Sequence, residues 1–161
     1  LFDILGLVAR LPRNNFVAKA ELFKIPVFGQ GIRILGTVPM ERENQKAAFG
    51  SYDIAAGRIR DGSSVVVFPE GTRGTDYSIR RFKKGPFVLA IKAAAPIVPV
   101  IVYGTIEILP KGKLFLHPGN IDVYILDQVT TSGMDYDDRD ALAATVHERM
   151  ESVMNSLYLN R

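Results

Sequence analysis

Short apolar segments alternate with helical patterns along most of this chain, and this alternation constrains the fold more than any other feature. Segments of strand length lie at residues 15–19, 36–40, 63–68 and 96–104. Helical patterns lie between them at residues 25–36, 44–62 and 85–95. Such alternation is typical of βαβ units. We therefore predict an α/β fold of a single domain, residues 1–161, with a mostly parallel β-sheet flanked by helices.

Three further elements complete the predicted fold. Residues 1–11 have helical periodicity from the first residue onward, so the chain is expected to begin inside an element. Residues 113–126 are interpreted as two strands that turn at Pro118, Gly119 and Asn120. The last helix carries one apolar stripe that we expect to pack on the core. Its members are Leu142, Val146, Met150, Val153 and Leu157.

Length and composition limit the possible chemistry. A chain of 161 residues is long enough to bury about two-thirds of its unfolded surface, so it can carry a preformed site. It contains no cysteine, which excludes disulfides, thiolate metal sites and a Cys nucleophile. No metal site is predicted. No apolar run approaches the roughly 20 residues that a membrane-spanning helix needs.

Polar residues follow two of the predicted strands. Glu70, Gly71, Thr72 and Arg73 come soon after one strand, and Arg42 comes soon after another. Because ligands of open α/β sheets bind beyond the carboxyl ends of the strands, these residues are candidates for one site. Arg guanidinium groups bind phosphate well, and a glycine lets the backbone approach a ligand closely. The alternative is a tight turn in which Glu70 and Arg73 pair with each other.

Positive charge is concentrated just after that turn. Residues 70–85 contain five basic and two acidic side chains, a net charge of +3. The basic ones are Arg73, Arg80, Arg81, Lys83 and Lys84. Such clustering favours an anionic partner, with a solvated loop as the alternative. Nucleic acid is not predicted as the partner, because no pattern of stacking aromatics accompanies the charge. The nucleotide-binding P-loop pattern is absent as well.

The segment FPEGTRG at residues 68–74 closely resembles the signature motif of the glycerolipid acyltransferases. Two other segments match the family in the same order. Residues 16–42 resemble the stretch that carries a substrate-binding Lys and ends in a phosphate-binding Arg, and residues 82–104 resemble the following helix and the Pro-containing strand of the acyl site. The resemblance weakens after about residue 105. It implies the glycerol-3-phosphate (1)-acyltransferase-like fold.

The family's base is the His of a His-x-x-x-x-Asp motif, in which the Asp orients the imidazole. The resemblance assigns that Asp to Asp3, and by the same spacing the His would lie five positions earlier, before the first residue given. It also implies that an N-terminal part, with the His and any membrane anchor, precedes Leu1. His117 and Asp122 fit the spacing too, but they follow the other motifs, so we do not assign them the role. His147 is interpreted as a residue at the edge of the core.

The resemblance implies transfer of a fatty acyl chain to the sn-2 hydroxyl of 1-acylglycerol 3-phosphate, lysophosphatidic acid, giving phosphatidic acid. The donor would be acyl-CoA or acyl carrier protein, with no cofactor, at the cytoplasmic face of a membrane. Lys19, Arg42 and Arg73 would bind the acceptor phosphate. Glu70 would bind a glycerol hydroxyl or hold the arginines, while Gly71 and Thr72 shape the turn. Glycerol 3-phosphate, another lysophospholipid, or a non-catalytic lipid-phosphate-binding role are the alternatives.

Overall fold

The structure, a computed structural model, describes residues 14–26, 28–34, 37–40, 45–72, 74–110, 112 and 115–159. Its strands are β1 (Asn14–Lys19), β2 (Val38–Met40), β3 (Ser64–Val66), β4 (Val100–Tyr103) and β5 (Asp122–Ile125). Its α-helices are α1 (Phe28–Ile34), α2 (Gln45–Arg60), α3 (Gly85–Ala93), α4 (Thr105–Ile108) and α5 (Arg139–Leu159). Short 3-10 helices lie at Ala20–Lys24 and Tyr136–Asp138. The helices and strands confirm the α/β class.

The first sheet consists of three parallel strands in the order β2, β1, β3. Val17 of β1 lies opposite Val38 of β2, and Asn14 lies opposite Ser64 of β3. Helix α2 connects β2 to β3 and packs on α3. The carboxyl ends of all three strands therefore lie at one edge of this sheet, which is the edge where ligands of such sheets bind.

Two apolar clusters form the core. One joins β2, α2 and α3 and contains Val38, Ala55, Ala56, Leu89 and Ala93. The other joins α3 to α5 and contains Phe82, Phe87, Val129, Leu142 and Val146. The predicted stripe on α5 is thus confirmed where it meets the core. On α2, Tyr52 and Ile59 pack beside Ala55 against the first cluster.

The second sheet pairs β4 with β5 in antiparallel register, with Val100 opposite Ile125. The predicted hairpin at residues 113–126 is wrong, because residues 115–121 form no strand and β5 pairs with β4 instead. The backbone explains this outcome: the His117 N–H donates to the Ile108 carbonyl at 3.0 Å, and Pro118 has no N–H to donate. Among the described residues, two strand pairings are parallel and one is antiparallel, in two separate sheets.

In the part of the chain that the structure describes, no helix combines the length and the hydropathy that a bilayer crossing requires.

Gly104, directly after β4, occupies a position that no other residue type fits. Its φ is +93°, and a Cβ there would lie 2.1 Å from the Asn120 carbonyl oxygen. Gly104→Ala is expected to lower the free energy of unfolding by about 3 kcal/mol or more, since backbone strain and a backbone clash add. Chemical denaturation measures this loss.

Gly133→Ala is the matched control for that prediction. Gly133 also has a positive φ, +77°, but a Cβ there would meet nothing within 4 Å. Only the conformational cost remains, about 1–2 kcal/mol. Equal losses in the two variants would contradict the close approach between Gly104 and Asn120.

Candidate active site

The motif residues form a tight turn just beyond β3. The Gly71 N–H donates to the Phe68 carbonyl at 3.1 Å, closing a β-turn with Pro69 at its second position. Gly71 has a φ of +71°, in the left-handed region that favours glycine. The Lys83 N–H donates to the Pro69 carbonyl at 2.8 Å, so the end of the basic segment is held against the turn. Contact of Gly71 and Thr72 with a substrate stays a prediction.

Glu70 lies half-buried within this turn. Burial raises the pKa of its carboxyl group, although the backbone N–H of Arg80 donates to it and the Arg80 and His147 charges oppose the shift. The carboxylate is therefore held by the segment that follows the motif. The sequence offered Arg73 as the partner of Glu70, but Arg73 lies outside the described residues, and the partner that the structure shows is Arg80.

Tyr77 fastens the segment after the turn to the end of β4. Its hydroxyl donates to the Glu107 carboxylate and accepts the Gly104 N–H at 3.2 Å. Its ring stacks on Tyr103 with the centroids 4.1 Å apart. Burial, and then the Glu107 carboxylate, raise the pKa of the Tyr77 hydroxyl well above its usual range. Sequence reasoning missed this residue, because the only signal was one aromatic side chain within a basic segment.

Two acidic side chains order the rest of the basic segment. Asp76 accepts the backbone N–H of Ser78 at 2.9 Å and also its hydroxyl proton, and these hydrogen bonds lower the pKa of Asp76. Asp140 on α5 pairs with Lys84 at 2.9 Å. Arg81 and Lys83 are exposed, while Arg80 is partly buried beside Glu70. The segment is therefore a folded loop, with some of its basic side chains directed to solvent.

A cavity of about 1010 Å³ adjoins the turn. Apolar side chains dominate its lining, including residues 65–68 at the end of β3 and just beyond it, and residues 97–102 around β4. Its polar lining includes Glu70, Thr72, Asp76 and Ser78. This volume is at the upper end of the range for small-molecule sites, which are mostly apolar with a few polar groups that orient the ligand.

The backbone brings several predicted site residues toward that edge. Lys19 ends β1 opposite Met40, which ends β2 two residues before Arg42. β3 runs parallel to them and leads into the motif turn. Lys19 is described for its backbone only, and Asp3, Arg42 and Arg73 lie outside the described residues. The structure therefore brings the strand ends together without describing the four basic or acidic side chains themselves.

The two histidines are in different settings. His117 is exposed in an irregular loop, and Asp122 is exposed on β5. His147 is partly buried on α5, where its ring packs edge-on against Phe82 at 4.9 Å and its Nε2 lies 3.3 Å from the Ile79 carbonyl oxygen. His147 thus contributes packing at the edge of the core. Among the described residues, no group of three His, Asp or Glu side chains could hold a metal ion.

Comparison with known proteins shows the family to which this chain belongs. A family model described as Acyltransferase matches residues 2–103, more than half of the chain. This chain belongs to the acyltransferase family. The matched range contains the motif turn, the parallel sheet and helix α3, while the second sheet is completed beyond it.

Related acyltransferases occur in bacteria, plants and animals. A chloroplastic 1-acyl-sn-glycerol-3-phosphate acyltransferase of Brassica napus is 35% identical over 76% of this chain and 36% of its own length. The 1-acyl-sn-glycerol-3-phosphate acyltransferase of Haemophilus influenzae is 35% identical over 87% of this chain and 58% of its own. The human 1-acyl-sn-glycerol-3-phosphate acyltransferase beta is 31% identical over 94% of this chain and 55% of its own length.

A solved acyltransferase has a similar fold. The crystal structure of the 1-acyl-sn-glycerophosphate (LPA) acyltransferase PlsC from Thermotoga maritima matches with a TM-score of 0.80 and 30% identity, over 98% of this chain and 62% of that one. This chain therefore spans between about a third and three-fifths of the length of the acyltransferases with which it is compared.

Proposed function

We propose that this chain belongs to the catalytic domain of a 1-acylglycerol-3-phosphate O-acyltransferase. It would move a fatty acyl chain from acyl-CoA or acyl carrier protein to the sn-2 hydroxyl of lysophosphatidic acid, giving phosphatidic acid. One observation carries the proposal: the motif turn, at the carboxyl edge of a parallel sheet, adjoins a large and mostly apolar cavity. The names of the relatives support the same activity.

The acceptor phosphate would bind at the sheet edge. Lys19, Arg42 and Arg73 each follow or end a strand whose carboxyl end lies there, so three cations can converge on one anion. Arg forks bind phosphate oxygens through paired N–H groups. Glu70 would take a glycerol hydroxyl or hold the arginines, and Thr72 would lie beside the acceptor. Phosphate binding away from the reacting hydroxyl provides the positioning that such a reaction needs.

The acyl chain would occupy the cavity. Its lining combines the valines of residues 65–67 with the apolar residues 97–102 and Met150. Burying methylene groups against such a lining is favourable, at about 0.8 kcal/mol for each. The two sheets would form one mostly parallel sheet around this space, with β3 and β4 as its neighbouring strands.

The chemistry would be direct acyl transfer. A His five positions before Asp3 would take the proton of the sn-2 hydroxyl, whose oxygen forms the new ester bond with the thioester carbonyl carbon. The C–S bond breaks, and the proton passes from the imidazolium to the departing thiolate. Asp3 would orient the imidazole. The reaction balances without a cofactor, and its amphiphilic substrates would place the protein at the cytoplasmic face of a membrane.

Arg42→Ala tests the acceptor site in a protein that carries the residues upstream of Leu1. A hydrogen bond to a charged group contributes about 1.5–3 kcal/mol, so its loss is expected to raise the KM for lysophosphatidic acid by roughly 10–100-fold. The KM for the acyl donor should change less. Steady-state kinetics in both substrates measure the two effects. Arg149→Ala, which removes an exposed Arg on α5, is the control. An unchanged acceptor KM in Arg42→Ala would contradict the proposed phosphate site.

A further inference from the structure

One part of the basic segment, residues 79–83, runs along the motif turn and is hydrogen-bonded to it at two places. The Arg80 N–H donates to the Glu70 carboxylate, and the Lys83 N–H donates to the Pro69 carbonyl at 2.8 Å. Both donors are backbone groups, so the position of the carboxylate depends on the path of the backbone here. A contact that fixes the 79–83 segment therefore also fixes Glu70.

His147 on α5 contacts the 79–83 segment at two residues, each next to one of those donors. Its Nε2 lies 3.3 Å from the Ile79 carbonyl oxygen, and its ring packs edge-on against Phe82 with the centroids 4.9 Å apart. A carbonyl oxygen can only accept a hydrogen bond, so the contact with Ile79 requires a proton on Nε2. The His147 side chain is 25% exposed, so this hydrogen bond is partly shielded from water.

The Ile79 carbonyl and the Arg80 N–H belong to the same peptide group. That group is planar, so a hydrogen bond from His147 at its oxygen and a hydrogen bond to Glu70 at its nitrogen hold one plane from both sides. Hydrogen bonds in such a chain also polarise one another, and each becomes stronger. A single peptide group thus links His147 to the motif carboxylate, although the two residues lie in distant parts of the sequence.

Helix α5 has a second contact with the basic segment, but it lies beyond residues 79–83. Lys84 pairs with Asp140, and 53% and 54% of the two side chains are exposed. Such exposed ion pairs contribute little to stability. We propose that His147 is the positioning residue through which α5 holds the Glu70 carboxylate at the edge of the cavity. Acceptor binding by that carboxylate rests on the proposed function, whereas its placement by His147 does not.

Titration of the Glu70 carboxyl group by NMR tests this placement. Glutamate that is isotope-labelled at the side-chain carboxyl is incorporated into a protein that carries the residues upstream of Leu1. The Glu70 signal is identified by its loss in Glu70→Gln. His147→Leu keeps an apolar side chain beside Phe82, but it removes the hydrogen bond to Ile79 and the imidazole charge. Both losses disfavour the carboxylate, so the pKa of Glu70 is expected to rise above its value in the parent protein.

His147→Gln separates the hydrogen bond from the charge. The side-chain N–H of Gln can lie close to the position of Nε2 and donate to the Ile79 carbonyl, but the amide is neutral. The pKa of Glu70 in His147→Gln should therefore lie between its values in the parent protein and in His147→Leu. An unchanged pKa in His147→Leu, or equal rises in the two variants, would overturn the proposal, because the hydrogen bond would then have no part in holding the carboxylate.

Two other changes on α5 are the controls. Asp140→Asn removes the contact with Lys84, and Leu142→Val loosens the core cluster. Neither removes a hydrogen bond to the 79–83 segment, so the pKa of Glu70 should be unchanged in both, even though Leu142→Val lowers thermal stability. A rise in Leu142→Val as large as in His147→Leu would show that general loosening of the core moves the carboxylate, and would overturn the proposal.

Acyl transfer gives a second measurement. His147→Leu is expected to lower kcat/KM for lysophosphatidic acid by roughly tenfold, because a displaced Glu70 carboxylate fits the acceptor less well, and His147→Gln should retain most of the activity. In a Glu70→Gln background, His147→Leu should have no further effect, since residues that act through one contact are not additive. Equal losses in the two backgrounds would overturn the proposal. Absence of phosphatidic acid from the parent protein would contradict the proposed function alone, and the titration would still decide the role of His147.

Discussion

Asp3→Asn is expected to lower kcat for acyl transfer by roughly 10²–10⁴-fold in a protein that carries the upstream His, the range that general base catalysis contributes. An Asn side chain has nearly the shape of Asp, but it cannot stabilise the imidazolium that forms when the His takes the hydroxyl proton. The effect should appear in kcat, because neither substrate needs the carboxylate for binding. Thiol release from the acyl donor, followed at saturating acceptor, measures it.

The chain contains its own control for this prediction. Asp122 stands five residues after His117, with the same spacing, and both side chains are exposed. Asp122→Asn should therefore leave kcat unchanged. The reverse pattern, with loss in Asp122→Asn and none in Asp3→Asn, would move the catalytic pair to His117 and Asp122 and contradict the assignment.

Gly71→Val is expected to lower kcat/KM by roughly 100-fold, because a displacement of about 1 Å in a positioning element has that effect. Gly71 has a φ of +71°, and a β-branched side chain is strongly disfavoured there. The turn from Phe68 to Gly71 must then open or shift. Glu70 and Thr72, which line the cavity on either side of Gly71, would move with it. Steady-state kinetics on the folded variant measure the loss.

Gly133→Val is the control that separates the effect of backbone strain from the effect of displacing the turn. Gly133 has a φ of +77° and open space where a side chain would be placed, and it lies just before α5, outside the lining of the cavity. Both variants should lose similar thermal stability, but only Gly71→Val should lose activity. If the two variants lost activity in proportion to their stability, the turn would have no special role in positioning.

Local patterns predicted most elements of the fold. β1 was predicted at residues 15–19 and lies at Asn14–Lys19, and α2 begins and ends close to its predicted bounds. These elements are set by side-chain periodicity and by Gly or Pro at their ends, which are properties of nearby residues. β3 is shorter than predicted, because the Gly71 to Phe68 hydrogen bond begins the turn soon after Val66.

Strand pairing depended on interactions distant in the sequence. The apolar pattern of residues 122–125 correctly predicted a strand, but its predicted partner, the preceding part of residues 113–126, was wrong, because β5 pairs with β4 about 20 residues away. Pro118 and Gly119 suggested a turn, but residues 115–121 form an irregular loop in which neither a turn nor a strand is assigned. The choice of partner depends on which strand edge is open, and periodicity carries no information about that.

The candidate site was predicted in part. A turn after this strand was predicted from residue types that bend a chain, and the structure has one from Phe68 to Gly71, whereas the substrate roles of Glu70, Gly71 and Thr72 stay predictions. Its supports were not foreseen: the backbone N–H of Arg80 that holds Glu70, and Tyr77 with Gly104 and Glu107. These contacts join residues about 10 to 30 positions apart through the fold. Side-chain identity alone cannot predict such partners.

The most direct test of the central claim is the identity of the product. A protein that carries the residues upstream of Leu1 is incubated with lysophosphatidic acid and a fatty acyl thioester, and the lipids are analysed by mass spectrometry with positional hydrolysis. The account predicts phosphatidic acid with the new acyl chain at sn-2, formed in step with thiol release. Thiol release without phosphatidic acid, or acylation of glycerol 3-phosphate in its place, would contradict it.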